Sequence, residues 1–307
     1  MTTAAERAAL LRRFGIDERA LIGAGGEASV YALPGERVLR VARSRTTAAA
    51  DPYRLQAFLA RFAHRLPFAT PEIVDIDPDG LWRIEFRLSG TAMLARLARL
   101  GDDRRDQAFR AYAAAVDALA TVALPELPYG HVLAPAPVTA ADWHGFARES
   151  LAIFLSRNRV TIAKEVGDPH RLFDLAAGMI ADLPRHPPKV LVHGDYFPGN
   201  LLLAPDLSVS SLIDFGIYTV AGDAQLDLAV ACLTLEMIAE TTAHDARFVR
   251  EIVLDRHGPE IAPALRFYRA WLAFSMADPA NAALPYPRLY RWSIAMLKLL
   301  REGRLPA

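Results

Sequence analysis

The spacing of apolar residues changes character near residue 90. Upstream, short alternating or continuous apolar runs bounded by Gly and Pro predict strands. They cover residues 21–33, where glycines precede Ser29, Val30 and Tyr31; residues 37–42, reading RVLRVA; and a hairpin of 73–76 with 81–88 around Asp77, Pro78, Asp79 and Gly80. Two helices accompany them. One spans 4–14, with Leu10, Leu11 and Phe14 on one side and Gly15 as its stop. The other opens at Asp51 with Pro52 in the first helical position, and buries Leu55, Phe58, Leu59 and Phe62 before Pro67 and Pro71 end it.

Downstream the period becomes three to four. Helices are predicted over 103–122 (Phe109, Tyr112, Val116, Leu119), 139–156 (Trp143, Phe146, Leu151, Phe154), 168–183, 226–238, 243–255, 259–277 and 285–301. Residues 124–137 read as a Pro-rich connection, and 157–166, with Arg157, Arg159 and Lys164, as an exposed basic turn. One segment breaks the helical pattern. The apolar run Val190 to Val192 leads into two short strands, 200–204 and 209–214, separated by Pro205 and Asp206. The expectation is an α+β fold in two lobes, a small β-rich lobe over 1–88 and a large, mainly helical lobe over 89–307, with a cleft between them.

The interrupting segment, LVHGDYFPGNLLLAPDLSVSSLIDFG, also carries the candidate chemistry. A phosphoryl group leaving a nucleoside triphosphate needs hard oxygen ligands for a divalent cation and a carboxylate that takes the proton of the attacking hydroxyl. Asp195 closes a strand end as that carboxylate, and the hairpin brings Asn200 and Asp214 together as candidate Mg2+ ligands. This order of Asp, Asn and Asp-Phe-Gly is that of the phosphoryl-transfer template. Upstream, Gly23, Gly25, Gly26 and Ser29 offer backbone and hydroxyl groups to ATP or GTP phosphates, although Ala28 stands where the protein-kinase pattern has its third glycine. Where that template has a strand lysine paired with a helix glutamate, the chain has Arg40 and Gln56. The expectation is that Arg40 grips phosphate and the Gln56 amide orients it. Phe86 to Leu88 is the expected hinge, whose backbone meets the purine edge.

HGDYFPGN, LIDFG and GDAQLDLA resemble the signature of the aminoglycoside phosphotransferase family, relatives of choline kinase that share the protein-kinase fold. The resemblance implies that Asp195 is the catalytic base, that Asn200 and Asp214 bind magnesium, and that Asp227 is a buried carboxylate bracing the catalytic loop. His193 is expected to be a hydrogen-bonded structural imidazole. VLRVAR and RLPFATP are similar to stretches of macrolide phosphotransferases, which also carry arginine on this strand. The implied function is phosphorylation of a small-molecule hydroxyl, with an antibiotic as the acceptor and a bulky one favoured over an aminoglycoside. A metabolic kinase for a sugar, choline or amino alcohol, and a non-catalytic nucleotide-binding module, are the alternatives. For the acceptor site, Glu236, Glu240 and Asp245 are candidates for reading amines, and Tyr268, Trp271, Phe274, Tyr286, Tyr290 and Trp292 for lining an apolar pocket.

Composition narrows this further. The chain has 307 residues, 52% of them hydrophobic, enough for a large core or two lobes. Its 35 basic and 35 acidic residues cancel, so no global field recruits nucleic acid or an anionic membrane, and a polycationic substrate would need a local acidic pocket. Cys232 is the one cysteine and excludes a disulfide framework. No signal-peptide core or membrane-length apolar run occurs, which places the expectation in the cytoplasm, as a monomer or homodimer.

Overall fold

The computed structural model describes residues 4–25, 28–43, 51–283 and 287–307. Strands β1 (Leu21–Ala24), β2 (Ala28–Leu33), β3 (Arg37–Ala42), β4 (Ile73–Ile76) and β5 (Trp82–Phe86) pair antiparallel in the order β1-β2-β3-β5-β4. Because side chains alternate across a sheet, its two faces differ sharply. Tyr31, Leu39, Val41, Trp82 and Ile84 form one, packed beneath Leu10 and Leu11 of α1 (Ala4–Arg13). The other carries Val30, Val38, Arg40, Arg83 and Glu85, with Arg40 in register with both Val30 and Arg83. Helix α2 (Pro52–Ala60) starts where Asp51 accepts the Tyr53 N–H. Its buried Leu55, Phe58 and Leu59, with Phe62, Phe68 and Ile73, belong to the main core of the molecule rather than to the small core under α1.

The second lobe contains β6 (Thr91–Ala92), α3 (Met93–Leu97), α4 (Asp102–Leu119), β7 (Tyr129–His131), β8 (Thr139–Ala140), α5 (Trp143–Glu165), α6 (Pro169–Gly178), β9 (Val190–Val192), β10 (Leu201–Leu203), β11 (Val209–Leu212), β12 (Val220–Gly222), α7 (Gln225–Leu233), α8 (Ala243–His257), α9 (Ala262–Met276), α10 (Ala280–Ala283) and α11 (Pro287–Arg301). Two small sheets, β11-β10-β6 and β8-β7-β12-β9, lie among these helices. No helix among the described residues is long and apolar enough to cross a membrane.

Four expectations are corrected. Residues 157–165 are not a basic turn but the last turns of α5, because no Gly or Pro interrupts the run from Phe146 to Glu165 and Arg and Lys are good helix formers. That helix also starts late, at an Asp142 cap accepting the Gly145 N–H at 2.7 Å, after residues 139–140 have paired as β8. The Pro-rich connection contains a strand, β7. Helix α7 closes at Leu233, followed by a 3-10 turn over Thr234–Glu236.

Candidate active site

The strand β9 ends in a turn held by a carboxylate from α7. Asp227, on the first turn of α7, accepts the His193 N–H at 2.6 Å and the Gly194 N–H at 2.8 Å. Burial pushes its carboxyl up to about 7, against the pull of these two donors. The His193 ring is buried, and burial holds it down to about 4. It is therefore neutral: Nε2–H donates to Ile213 O at 2.9 Å while Nδ1 accepts the Asp195 N–H at 3.3 Å. Tyr196 locks the loop from behind, its hydroxyl donating to Tyr112 O at 2.7 Å and the Tyr112 hydroxyl reaching Tyr196 O at 3.3 Å.

Asn200, 5% exposed, closes the other side of the loop. Its amide nitrogen donates to Asp195 O at 2.8 Å and to Asp195 Oδ2 at 3.1 Å, which leaves Oδ1 as the acceptor for a cation. Its backbone oxygen accepts the Ile213 N–H at 2.9 Å, so the β10–β11 hairpin brings Asp214 alongside. Asp214 has a φ of 68°, a left-handed conformation that Asp tolerates better than most side chains. Across the cleft, Arg40 makes an ion pair with the Asp214 carboxylate. One cluster thus collects Asp195, Asn200, Asp214 and Arg40, built on hard oxygen donors with a guanidinium already at one of them.

Other nucleotide-side expectations shift. Gln56 does not orient Arg40: its amide oxygen accepts the Ile73 N–H at 2.7 Å and braces the sheet edge. On the same face of the sheet as Arg40, Arg83 and Glu85 of β5 form a largely buried ion pair. Ser29 shares the register and face of Val41, beneath α1, so its hydroxyl is turned away from the cleft. Gly23 and Gly25 flank the β1–β2 turn, which closes with Gly25 N–H on Ala28 O at 2.9 Å. Gly26 lies outside the described residues. In the segment expected as the hinge, the Phe86 N–H is taken by Glu72 O at 3.0 Å and the Arg87 N–H by Glu36 O at 2.8 Å.

The model of the phosphotransferase enzyme family matches residues 18–291. The chain belongs to that family. It is a small-molecule phosphotransferase. No curated protein matches the chain. Among solved structures, a thermostable mutant of aminoglycoside phosphotransferase APH(4)-Ia in ternary complex with ADP and hygromycin B is 19% identical, with a TM-score of 0.71 over 98% of this chain and 99% of that one. The gentamicin complex of APH(2")-IIa is 14% identical, with a TM-score of 0.66 over 97% and 98%. ADP-bound APH(2'')-Ib is 14% identical, with a TM-score of 0.61 over 99% of each chain. These likenesses establish the protein-kinase-like two-lobed fold.

In the phosphotransferase the acceptor-side expectations fare differently. Tyr268 is 1% exposed and accepts the Trp143 Nε1–H at 2.8 Å, a core position rather than a pocket wall. Trp271 is buried edge-on against Phe154 at 4.8 Å, and Phe274 is fully buried. Glu236 grips Arg269 through both oxygens, at 2.5 and 2.9 Å, and also accepts the Trp292 Nε1–H at 2.8 Å. Asp245 is wholly buried, paired with Arg105 at 2.5 Å and closing the capping box of α8 with Thr242. Glu240 is exposed, with its backbone oxygen accepting from Arg105, and Tyr290 packs partly buried against the core. Tyr286 lies outside the described residues. Packing explains these corrections, since the aromatic positions of α9 and α11 face neighbouring helices.

Proposed function

We propose that this phosphotransferase moves the γ-phosphoryl group of ATP or GTP to a hydroxyl of an antibiotic, with Asp195 as the base. The observation that carries the reading is the single hydrogen-bonded cluster in which Asn200 holds the backbone oxygen and one carboxylate oxygen of Asp195 while its own backbone fixes the segment bearing Asp214. Asp195, whose Oδ2 is positioned by the Asn200 amide, accepts the proton of the acceptor hydroxyl. Arg40, at the junction of sheet and cleft, binds the phosphates by a guanidinium that keeps its charge at any physiological pH. Asn200 Oδ1 and Asp214 would hold Mg2+, which supplies charge neutralisation for the phosphate oxygens when bound. Neighbours of the same fold crystallised with ADP or GDP and with hygromycin B, gentamicin or kanamycin support an antibiotic acceptor.

Within that class a bulky, weakly charged acceptor of macrolide type is favoured over an aminoglycoside. The ion pairs that occupy Glu236 and Asp245 support this, since a polyamine needs uncommitted carboxylates. The test is ADP or GDP release by the purified protein over a panel of macrolides, aminoglycosides, peptide antibiotics and metabolic alcohols, with product masses. Asp195→Ala is expected to lower kcat by roughly 10²- to 10⁴-fold. Efficient turnover of a sugar, choline or amino alcohol with no antibiotic modified replaces the antibiotic reading with a metabolic one. Nucleotide binding without turnover leaves a pseudokinase.

A further inference from the structure

One contact in the cleft joins two groups that phosphoryl transfer uses for different purposes. The Arg40 guanidinium of β3 donates to Asp214 Oδ1, across 174 positions of chain. The Arg40 side chain is 16% exposed and that of Asp214 39%. The attraction is thus stronger than in a pair fully in water, yet the carboxylate stays within reach of an incoming ligand.

The backbone is fixed on both sides of this contact. Strand β3 lies inside the sheet, with Arg40 in register with Val30 of β2 and Arg83 of β5. Asp214 follows a segment in which the Leu212 N–H donates to Ala69 O at 3.0 Å and the Ile213 N–H to Asn200 O at 2.9 Å. What can change is the Arg40 side chain, long and rich in rotamers. Gln56, where the phosphoryl-transfer template has a glutamate for the strand cation, is uncharged and accepts the Ile73 N–H at 2.7 Å. Two guanidiniums facing each other across one ladder repel, and each is met by a carboxylate: Arg83 by Glu85 and Arg40 by Asp214.

We propose that Arg40 is a latch on the metal site, which occupies Asp214 in the nucleotide-free protein and releases it when nucleotide phosphates draw the guanidinium away. This rests on the reading of Asp214 as a Mg2+ ligand and of Arg40 as the phosphate anchor. The consequence is an order of events. A divalent cation arriving alone meets like charge at Asp214, and displacing Arg40 would leave a guanidinium without its carboxylate in a largely buried place. Phosphates instead offer Arg40 a bidentate partner in exchange, so the carboxylate is released as the polyanion arrives. Asn200 and Asp214 are thereby made available together, and cation and nucleotide bind as a unit. Because a guanidinium keeps its charge, the latch holds at any physiological pH.

The experiment uses the full chain in wild type, Arg40→Met, Arg40→Lys, Asp214→Asn and the double variant Arg40→Met/Asp214→Asn. The first arm measures binding of Mn2+ alone, by loss of its free paramagnetic resonance signal. Arg40→Met is expected to bind Mn2+ about tenfold more tightly than wild type, the scale of a partly buried ion pair, and the double variant to lose that gain. Arg40→Lys keeps the charge but not the fork, and should fall between wild type and Arg40→Met. The second arm measures ADP affinity in EDTA by calorimetry. Asp214→Asn should tighten ADP because Arg40 is released to the phosphates, and the gain should be about tenfold larger than for the same change in the Arg40→Met background. Simple repulsion between Asp214 and phosphate would give the same gain in both. Equal gains in the two backgrounds, or Mn2+ affinity unchanged or weaker in Arg40→Met, overturn the latch. The parent reading fails separately: Mn2+ binding in the presence of ADP that Asp214→Asn leaves intact removes Asp214 from the metal site.

Discussion

At Gly194 the backbone turns with a φ of 78°, and any side chain there would meet a carbonyl oxygen that belongs to the main chain and has no rotamer to escape into. Positive φ alone costs a non-glycine residue about 1–3 kcal/mol. Because Asp195 is the next residue, the displacement is passed straight to the proposed base. Gly194→Ala should therefore lower Tm modestly and kcat by roughly a hundredfold, the penalty of a misplacement near 1 Å, as read by thermal melts beside steady-state kinetics. His193 yields a pH prediction. Its folded value of about 4 lies below the ordinary 6.5, so the stability it contributes is complete above pH 6.5 and is lost as pH falls toward 4, while the unfolded chain takes up the proton first. The loss amounts to about 3 kcal/mol at most. Asp227, pushed up to about 7, contributes the opposite slope over much of the same window. The comparison that isolates His193 is thus denaturant unfolding of wild type against His193→Gln at pH 7 and 4.5. The gap between the two proteins should shift against wild type at the lower pH, and a constant gap would show that the imidazole is not held neutral.

Elements whose signal is local were legible in the sequence. The cap of α2 by Asp51, the turn at Asp77 to Gly80 and the β10–β11 hairpin follow from residues within a few positions of one another. That Asp195, Asn200 and Asp214 lie together was legible for the same reason, since one loop and one hairpin assemble them. Commitments made over distance were not legible. Asp245 finds Arg105 across 140 positions and Glu236 finds Arg269 across 33, and no local pattern reveals that a carboxylate is already spoken for. Ser29 fell on the unexpected face because a strand's parity depends on the residue at which pairing begins. The buried pair has a measurable consequence for α8 and α4. Asp245→Asn strands the Arg105 guanidinium in a site where its side chain is only 11% exposed, and should cost about 3–5 kcal/mol. Thr242→Ala removes only the cap of the same helix and should cost about 1 kcal/mol. Equal losses in denaturant titrations of the two variants would show that Arg105 finds another partner.

Over the whole molecule the two cores are unequal, and this fixes how the cleft can open. The large core reaches into the first lobe through α2, Phe68 and Ile73, and Ala69 pairs with Ser210 and Leu212 beside the β10–β11 hairpin. The base of the first lobe is thereby fastened to the strands that carry Asn200 and Asp214. Its outer part depends instead on the small core of Tyr31, Leu39, Val41, Trp82 and Ile84 under Leu10 and Leu11, together with the Arg40 to Asp214 ion pair at the cleft. Leu11→Ala, at a position 2% exposed, should cost about 2–5 kcal/mol. Since few contacts join the small core to the large one, that loss should fall on the outer strands alone. Hydrogen exchange followed by mass spectrometry is expected to show faster exchange in β1, β2, β3 and β5, with α7 and α9 unchanged. Nucleotide KM should rise while the acceptor KM holds, because the β3 face that carries Arg40, proposed to bind the phosphates, loosens and the second lobe does not. Exchange accelerated equally in α7 and α9 would mean that the two cores unfold as one unit, and that the ion pair across the cleft couples the lobes more strongly than their packing implies.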